Sequence, residues 1–293
     1  MYDISRLYEP QSVSEAVKIL QKHPEARVLA GGSDLLLKIR EGKLAGIECV
    51  SIYKLDALRG ISMEADGSIA ILPLTSFSHV ARNELVLEHI PVLAEAVETI
   101  GGPQIRNIGT IGGNVCNGVT SADSASTLFS LDAELELTGS GGVRTVPIHD
   151  FYIGPGKVDL RPTEILTTIR IPQKSYEGYH GKFIKYAMRK AMDISTLNCS
   201  VNVKLSGDKK LIEDVRIAFG VASPTPMRCS AAENCTCGKP VGEETLRSLV
   251  DTALSEITPR TSWRASRELR MQLAAELAMR ALKEAVQRAG GVL

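Results

Sequence analysis

The segment of residues 101–123 is rich in glycine, short hydroxyl side chains and amides, and it carries little charge. Gly109, Gly112 and Gly113 have no Cβ atom, so the backbone there can take positive φ angles and approach a ligand closely. Successive backbone N–H groups in such a turn can bind an anion. The segment matches neither the Gly-x-x-x-x-Gly-Lys-Ser/Thr phosphate loop nor the Gly-x-Gly-x-x-Gly dinucleotide fingerprint. It therefore predicts a ligand-binding loop of another kind.

A second glycine loop lies upstream, in residues 27–37. Residues 28–30 predict a short strand, a double glycine forms the turn, and Ser33 or Asp34 can cap a helix that begins at Leu35. A helix N-terminus after such a turn favours a pyrophosphate, because free N–H groups and the helix dipole both attract an anion. A double-glycine turn alone is ordinary, but the two loops together suggest one extended dinucleotide held from two sides.

Composition narrows the class of protein. The chain has 293 residues, 44% of them hydrophobic, and its 34 basic residues balance 34 acidic ones. A net charge of zero gives no attraction to nucleic acid or anionic lipid. The first residues lack a cationic and apolar signal segment, and no run approaches the ~18 apolar residues of a membrane span. We therefore expect a soluble, cytoplasmic protein of one large or two ordinary domains.

The six cysteines are scattered, and in this setting buried thiols are favoured over disulfides. Cys229, Cys235 and Cys237 form the one cluster, but their spacing matches no common iron–sulfur or zinc pattern. We predict a reduced loop there and no metal site in this chain.

Hydrophobic periodicity predicts alternating helices and strands before residue 172. The expected helices are 12–22, 77–82, 88–100 and 124–131, and the expected strands are 47–52, 68–72, 134–138, 143–148 and 164–171.

A polar, turn-rich stretch at residues 172–181 is the best domain boundary. After it, three antiparallel strands are predicted at 182–187, 197–205 and 212–222, the last two with alternating polarity. Helices follow at 245–254 and 263–288, so this half predicts a small sheet covered by helices.

Several motifs resemble those of the FAD-binding subunit of the molybdenum hydroxylases. They are Ala30-Gly-Gly-Ser-Asp34, Pro103-Gln-Ile-Arg-Asn107, Thr110-Ile-Gly-Gly-Asn114 and Asp123, and the resemblance covers essentially the whole chain. Within that family the chain is most similar to the separate FAD subunits of bacterial xanthine dehydrogenases. That likeness rests on residues 113–125, 185–195, 218–226 and 262–266.

The resemblance implies an α+β protein. Residues 1–175 would form a PCMH-type FAD-binding domain with subdomains of about 1–55 and 56–175. Residues 181–293 would form a C-terminal domain of the CO dehydrogenase flavoprotein type, with a three-stranded antiparallel sheet and helices. FAD would lie between them.

The resemblance also implies partners: a molybdopterin subunit, which hydroxylates the substrate, and a subunit with two 2Fe–2S clusters, in a heterotrimer or a dimer of heterotrimers. Electrons would reach FAD through the clusters and leave as a hydride to NAD+. Xanthine or hypoxanthine is our choice of substrate, while nicotinate, an aldehyde or another heterocycle remains open.

The family's first FAD loop corresponds to residues that would hold the pyrophosphate through backbone N–H groups: Arg27, Val28, Leu29, Ala30, Gly31, Gly32, Ser33, Asp34 and Leu35. The second loop would contact the diphosphate and the ribityl chain, with Gly109, Thr110, Ile111, Gly112, Gly113 and Asn114.

Other positions follow from the same resemblance. Asp123 would accept hydroxyl hydrogen bonds from the ribityl chain or a sugar, or serve as a first-turn helix acid. The backbone of Ile165 or Leu166 would touch the cofactor. Lys185 would place a cation near the flavin, or pair with a carboxylate. Ile100 stands where some relatives carry an aromatic residue against the flavin ring.

This chain needs no catalytic acid or base, because the cofactor carries the hydride chemistry. No histidine or cysteine is evidently poised to attach FAD, so binding should be non-covalent, although Cys116 lies in the loop. Arg264, Arg267, Arg270 and Arg280 could dock a partner or form a solvated helical face.

Two other functions compete with this interpretation. A self-contained flavin reductase or oxidase of the same broad fold would need a proton donor, and none can be nominated. An assembly subunit that has lost FAD is disfavoured by the intact glycine loops.

Overall fold

A three-stranded parallel sheet forms the N-terminal part of the computed structural model, which describes residues 2–293. Helix α1 begins after Ser12, whose hydroxyl accepts a hydrogen bond from the Glu15 N–H group at 3.1 Å. Its apolar face packs on the sheet and buries Ala16, Val17 and Leu20. The sheet order is β1-β3-β2. The elements are β1 (Ile4–Tyr8), α1 (Val13–Lys22), β2 (Arg27–Leu29), α2 (Leu35–Arg40) and β3 (Ile47–Ser51).

A five-stranded antiparallel sheet, in the order β4-β5-β10-β6-β7, follows. Its central strand, β10, is mostly buried and pairs with β5 and β6. The strands are β4 (Ile61–Met63), β5 (Ile69–Ile71), β6 (Glu134–Gly139), β7 (Gly142–Pro147) and β10 (Ile165–Ile171), with a separate hairpin of β8 (Tyr152–Gly154) and β9 (Lys157–Val158). The helices are α3 (Phe77–Arg82), α4 (Glu84–His89), α5 (Pro91–Glu98), α6 (Pro103–Ile108), α7 (Ile111–Cys116), α8 (Asp123–Ser130) and α9 (Ile148–Phe151).

The predictions of one long helix and of an open central loop were wrong in detail. The helix expected at 88–100 is two helices, α4 and α5, because Pro91 has no N–H group to continue the first and starts the second. The glycine-rich segment holds α6 and α7. Pro103 starts α6, and the Thr110 hydroxyl caps α7 by accepting from the Gly113 N–H group at 3.1 Å.

The C-terminal half contains an antiparallel sheet ordered β11-β12-β13-β14 and covered by helices. The three predicted strands are present, and a fourth of two residues joins the edge. The elements are β11 (His180–Tyr186), β12 (Leu197–Leu205), β13 (Ile212–Gly220), β14 (Met227–Arg228), α10 (Ser230–Thr236), α11 (Glu243–Glu256) and α12 (Arg267–Arg288). Within residues 2–293 no helix is long and apolar enough to span a membrane.

The cysteine cluster lies on a helix rather than in the predicted loop. Cys235 lies in α10, and Cys229 and Cys237 are the residues directly before and after it. All six cysteines are free, and Cys235 and Cys237 are exposed.

The two halves meet through a polar interface between α8 and β12. The polarity of β12 alternates as predicted, but its polar face is buried as well as its apolar one. Ser126 donates to the side-chain oxygen of Asn198 at 2.8 Å, and the hydroxyl groups of Ser130 and Ser200 lie 2.9 Å apart. The amide of Asn202 also donates to Ser130 at 2.8 Å. Because each of these buried groups has a partner, the interface fixes one relative position of the halves.

The α+β class is confirmed by this architecture. Three hydrophobic clusters centre on the N-terminal sheet, the five-stranded sheet and the C-terminal sheet, but Phe183 and Ala218 pack in the second and Ile165 packs in the first. The domain division at residues 175–181 and the subdomain division near residue 55 remain predictions.

Asp132 adds an ionic clamp between the halves. Its carboxylate lies 3.2 Å from Arg216 and 3.0 Å from His149, and it also binds Arg228. Partial burial opposes ionisation, but His149 and the two arginines outweigh it and lower the pKa of Asp132 to about 2. The backbone of Asp132 is left-handed, with φ +47°. Asparagine tolerates that conformation, so Asp132→Asn changes mainly the charge.

We expect Asp132→Asn to lower the free energy of unfolding at pH 7 by on the order of 2 kcal/mol. A depressed carboxyl pKa stabilises the fold above the unfolded value of about 4 and loses that contribution as pH falls through the folded value. Urea unfolding at pH 7, 5 and 3 should therefore show the gap between wild type and variant shrinking with acidification. Asp150→Asn, at an exposed site, is the control; a gap that does not change with pH would contradict the clamp.

Candidate functional site

The two glycine loops pack against each other backbone to backbone. A Cβ atom on Gly31 would lie 1.8 Å from the carbonyl oxygen of Ile108, and one on Gly112 would lie 2.3 Å from Cβ of Pro73. Neither approach is possible with a side chain. Both glycines are thus required by contacts of the chain with itself. For Gly112 the sequence had suggested close approach to a ligand, and for Gly31 it had suggested a tight turn.

Both loops line one cleft of about 610 Å³, a volume typical of small-molecule and cofactor sites. The predicted residues in its wall are Arg27, Val28, Ala30, Gly31, Gly32, Ser33, Asp34, Leu35, Ile100, Thr110, Gly112, Gly113, Asn114, Ile165 and Leu166. The predicted residues outside it are Leu29, Gly109, Ile111, Asp123 and Lys185.

The first loop presents an uncapped helix N-terminus to this cleft. Asp34 occupies the N-cap position but makes no capping hydrogen bond, and neither does Ser33. The Asp34 carboxylate binds the Lys38 ammonium at 2.6 Å instead. Within residues 2–293, the backbone N–H groups of residues 31–35 have no protein acceptor. The loop therefore retains the donors and the dipole that favour an anion.

The second loop differs, because its N–H groups are already used. Ile111 donates to Thr75 at 3.0 Å, Gly112 to Pro73 at 2.9 Å, and Gly113 to the Thr110 hydroxyl at 3.1 Å. What remains are side chains, above all the hydroxyl proton of Thr110. The Asn114 amide oxygen accepts from Ser124 at 2.7 Å, and its nitrogen has no acceptor among the described residues. This loop suits hydroxyl-bearing ligand groups better than a diphosphate.

Apolar side chains form another part of the cleft wall. Phe77, Ile165 and Leu166 are buried beneath it, and Ile100 and Ile105 line it while partly exposed. A planar apolar ring can pack on such a wall. Polar and apolar parts together fit an extended flavin dinucleotide: open N–H groups for its diphosphate, short polar side chains for its hydroxyl groups, and an apolar surface for its ring.

Sequence reasoning missed several residues of the wall. Lys38 lies one turn after Asp34 on α2, so its position beside the helix N-terminus was deducible; Asn117 accepts from its ammonium at 3.2 Å. Phe77 comes from a distant part of the chain, and no local signal placed it there. Cys116, which the sequence analysis had already placed in the second loop, also lines the cleft, and burial raises the pKa of its thiol to about 12.

Asp123 and Lys185 form a buried ion pair beyond the end of the cleft. The Lys185 ammonium lies 2.6 Å from the Asp123 carboxylate and also donates to the carbonyl oxygens of Thr99 at 3.0 Å and Asp193 at 2.8 Å. Its three protons are therefore all used. Ser195 donates to the other carboxylate oxygen of Asp123. The pair ties the residue before Ile100 to the β11–β12 loop, and its roles toward a cofactor stay predictions.

Known proteins resemble the chain in both sequence and fold. A family model described as the FAD binding domain in molybdopterin dehydrogenase matches residues 3–174, and one described as the CO dehydrogenase flavoprotein C-terminal domain matches residues 182–285. The xanthine dehydrogenase FAD-binding subunit of Escherichia coli O157:H7 is 41% identical over 293 residues, all of both chains. The glyceraldehyde dehydrogenase medium chain of Sulfolobus acidocaldarius is 30% identical, over 94% of this chain and 95% of its own.

A solved structure agrees. In the carbon monoxide dehydrogenase from Hydrogenophaga pseudoflava that lacks the Mo-pyranopterin moiety, one chain superposes with a TM-score of 0.92 at 29% identity. The match covers 98% of this chain and 99% of that one. With its two glycine loops on one cleft, the chain belongs to the family of FAD-binding subunits of the molybdenum hydroxylases.

Proposed function

We propose that this chain is the electron-transfer flavoprotein subunit of a xanthine dehydrogenase-like enzyme. It accepts electrons from 2Fe–2S clusters of a partner subunit and delivers them as a hydride to NAD+. One observation carries the proposal: a cleft of cofactor size is lined by both glycine loops, and one of them keeps its N–H groups open. The full-length identity of 41% to a xanthine dehydrogenase subunit favours this enzyme class.

The first loop holds the diphosphate in this proposal. Residues 31–35 donate their N–H groups, and the dipole of α2 adds a partial positive charge. The Lys38 ammonium lies at the same wall as a hydrogen-bond donor, although the Asp34 carboxylate balances its charge. Lys38 is tethered by Asp34 and Asn117, so its ammonium is already held at the cleft. Arg27 lines the same wall and adds to the positive potential.

Thr110 and Asn114 hold the ribityl hydroxyl groups through their side chains. The backbone N–H groups of their loop already have acceptors in the protein, whereas the Thr110 hydroxyl and the Asn114 amide can still donate. The apolar wall packs on the ring system, with Ile100 in aliphatic contact in place of an aromatic residue. Ile165 and Leu166 contribute through the wall that their strand forms at the cleft.

Lys185 and Asp123 act as positioning residues in the proposed site. They hold Thr99, and through it Ile100, against the β11–β12 loop. When bound, FAD supplies the redox chemistry, exchanging single electrons with iron–sulfur clusters and a hydride with a nicotinamide. The chain binds and orients the cofactor and supplies no catalytic acid or base.

The choice of substrate and the composition of the complex depend on the partner subunits in this proposal. The relatives' names differ in substrate, naming xanthine, glyceraldehyde and carbon monoxide, while their flavoprotein chains stay alike. We propose xanthine or hypoxanthine for the molybdopterin subunit, in a heterotrimer or a dimer of heterotrimers. Free thiols at all six cysteines support a cytoplasmic location, where thiols stay reduced.

Purification of the chain alone tests the core of this proposal. A yellow protein that oxidises NADH with an artificial acceptor but ignores purines supports it. A protein that turns over a small substrate unaided would indicate a self-contained flavoenzyme, and one that cannot take up FAD would indicate an assembly subunit. The complex with both partners should then reduce NAD+ with xanthine.

We expect Gly31→Ala to weaken FAD binding by about tenfold or more, because its methyl group must push the two loops apart and open the diphosphate cradle. Fluorescence titration of the apoprotein with FAD measures the change. Gly207→Ala is the matched control, since a Cβ there meets nothing within 4 Å. Unchanged affinity in Gly31→Ala would show that the contact between the loops does not shape the site.

We expect acid precipitation to release all flavin into the supernatant. Cys116 is the cysteine in the cleft wall, and with a thiol pKa of about 12 it stays protonated and unreactive at neutral pH. The absorbance of supernatant and pellet measures the split, with Cys116→Ala as the control. Flavin retained in the wild-type pellet and lost in the variant would demonstrate a covalent bond.

A further inference from the structure

One side-chain hydrogen bond joins the two walls of the proposed FAD cleft. The Lys38 ammonium, on α2, donates to the side-chain oxygen of Asn117, the residue after α7, at 3.2 Å. Both residues line the cleft, Lys38 on the side of the first glycine loop and Asn117 on the side of the second. The Asp34 carboxylate lies 2.6 Å from the same ammonium and holds it in place. We call the hydrogen bond between Lys38 and Asn117 the strap.

The strap lies at the mouth of the cleft rather than at its floor. The side chain of Lys38 is 41% exposed and Asn117 is partly exposed. Ile165 and Leu166, which line the same cleft, are only 2% and 3% exposed. Because the strap connects the walls on the solvent side, a ligand that lies beneath it is enclosed by protein.

The walls also meet at a second place, where Gly31 packs against the backbone of Ile108. Residues 32–35 of the first loop and 112–114 of the second stand between this contact and the strap, and they line the cleft. The passage between the glycine loops is therefore bounded by a packing contact at one end and by the strap at the other.

The cleft continues past the strap. The N–H group of Lys43 donates to the carbonyl oxygen of Lys38 at 3.0 Å, and that of Gly156 donates to Gly118, the residue after Asn117, at 3.0 Å. Lys43 and Gly156 both line the cleft. Both walls thus extend beyond the strap.

The apolar part of the wall comes from the other direction along the chain. Ile100 and Ile105 precede the contact of Ile108 with Gly31, and both line the cleft. A ligand that reaches from this apolar wall to Lys43 must therefore pass under the strap. An extended dinucleotide has a bulky group at each end of its diphosphate, whereas a mononucleotide ends at its phosphate.

We propose that Lys38 and Asn117 make the site selective for a flavin dinucleotide over a mononucleotide, because the strap must open before a dinucleotide can enter or leave. The proposal rests on the function proposed above, in which the N–H groups of residues 31–35 bind the diphosphate. The closed strap crosses the diphosphate, with the flavin ring on one side and the adenosine on the other. FMN has no group beyond its phosphate, so the strap does not retain it.

The test measures the exchange of the cofactor and not the activity. The full-length apoprotein is mixed with FAD or FMN, and the change in flavin fluorescence gives the rate of uptake. Dilution of the loaded protein gives the rate of release. The variants are Asn117→Ala, Lys38→Met and the two combined. Asn107→Ala is the matched control, since the side-chain oxygen of Asn107 also accepts one hydrogen bond, from Ser78 at 2.6 Å, and does not line the cleft.

We expect Asn117→Ala and Lys38→Met each to speed the release of FAD about threefold to tenfold, the effect of one lost hydrogen bond. Asn117→Ala should also speed uptake, because the strap hinders entry as well as exit, whereas the loss of an ordinary contact changes mainly the release. In the Lys38→Met background Asn117→Ala should add nothing, because the same bond is already lost. The release of FMN should be equal in wild type and Asn117→Ala.

The outcomes separate the two proposals. If the wild-type chain takes up no FAD, the proposed function fails. If it does, and Asn117→Ala affects FAD release no more than Asn107→Ala does, the strap alone is overturned. The strap is also overturned if Asn117→Ala keeps its full effect in the Lys38→Met background, or if it speeds FMN release as much as FAD release, because Asn117 would then act as an ordinary contact to the phosphate.

Discussion

The contact of Gly31 with the backbone of Ile108 is the constraint on which the rest of the site depends. It joins the small parallel sheet to the helical segment after α5, and it brings an uncapped helix and a capped one to the same cleft. With any side chain at Gly31 the two segments would have to separate by the width of a methyl group or more. The glycine pattern thus shapes the site through the fold, and a ligand benefits from the shape that results.

The two loops differ in the hydrogen-bond donors that they leave free for a ligand. In the first, neither Ser33 nor Asp34 closes the helix, so donors remain for an anion. In the second, the Thr110 hydroxyl caps the helix by accepting a hydrogen bond from the Gly113 N–H group, which is then no longer free. Asp34 binds Lys38 in place of the helix N–H groups, so those N–H groups stay open and a lysine ammonium lies beside them with its charge balanced. Local hydrogen bonding therefore decides which loop can meet a phosphate and which can meet a hydroxyl.

Much of the fold could be predicted from periodicity and turns. Helix α3 has the predicted bounds, and β6, β7 and β10 differ by a residue at most, because alternation and glycine turns are local signals. The remaining features depend on contacts between distant parts of the chain, which local sequence patterns do not show. The serines of α8 bury the polar face of β12, and the alternating polarity of that strand gave no sign of what covers the face. The open end of α2 was also hidden, since Asp34 is a good cap by type but has a lysine for partner. The resemblance of the motifs located the cleft. It did not predict Phe77 in the cleft wall, because that residue lies in a region of the sequence without a motif.

The ammonium of Lys185 has a mechanical consequence. It is tied to the segment before Ile100, to the start of α8 and to the loop before β12, and no proton is left to exchange one tie for another. A displacement of any one of these three segments must pull on the other two or break a hydrogen bond inside the protein. The cleft wall at Ile100 and the loop before β12 are therefore mechanically coupled through Lys185. A displacement of that loop is transmitted to the wall through the Lys185 hydrogen bonds.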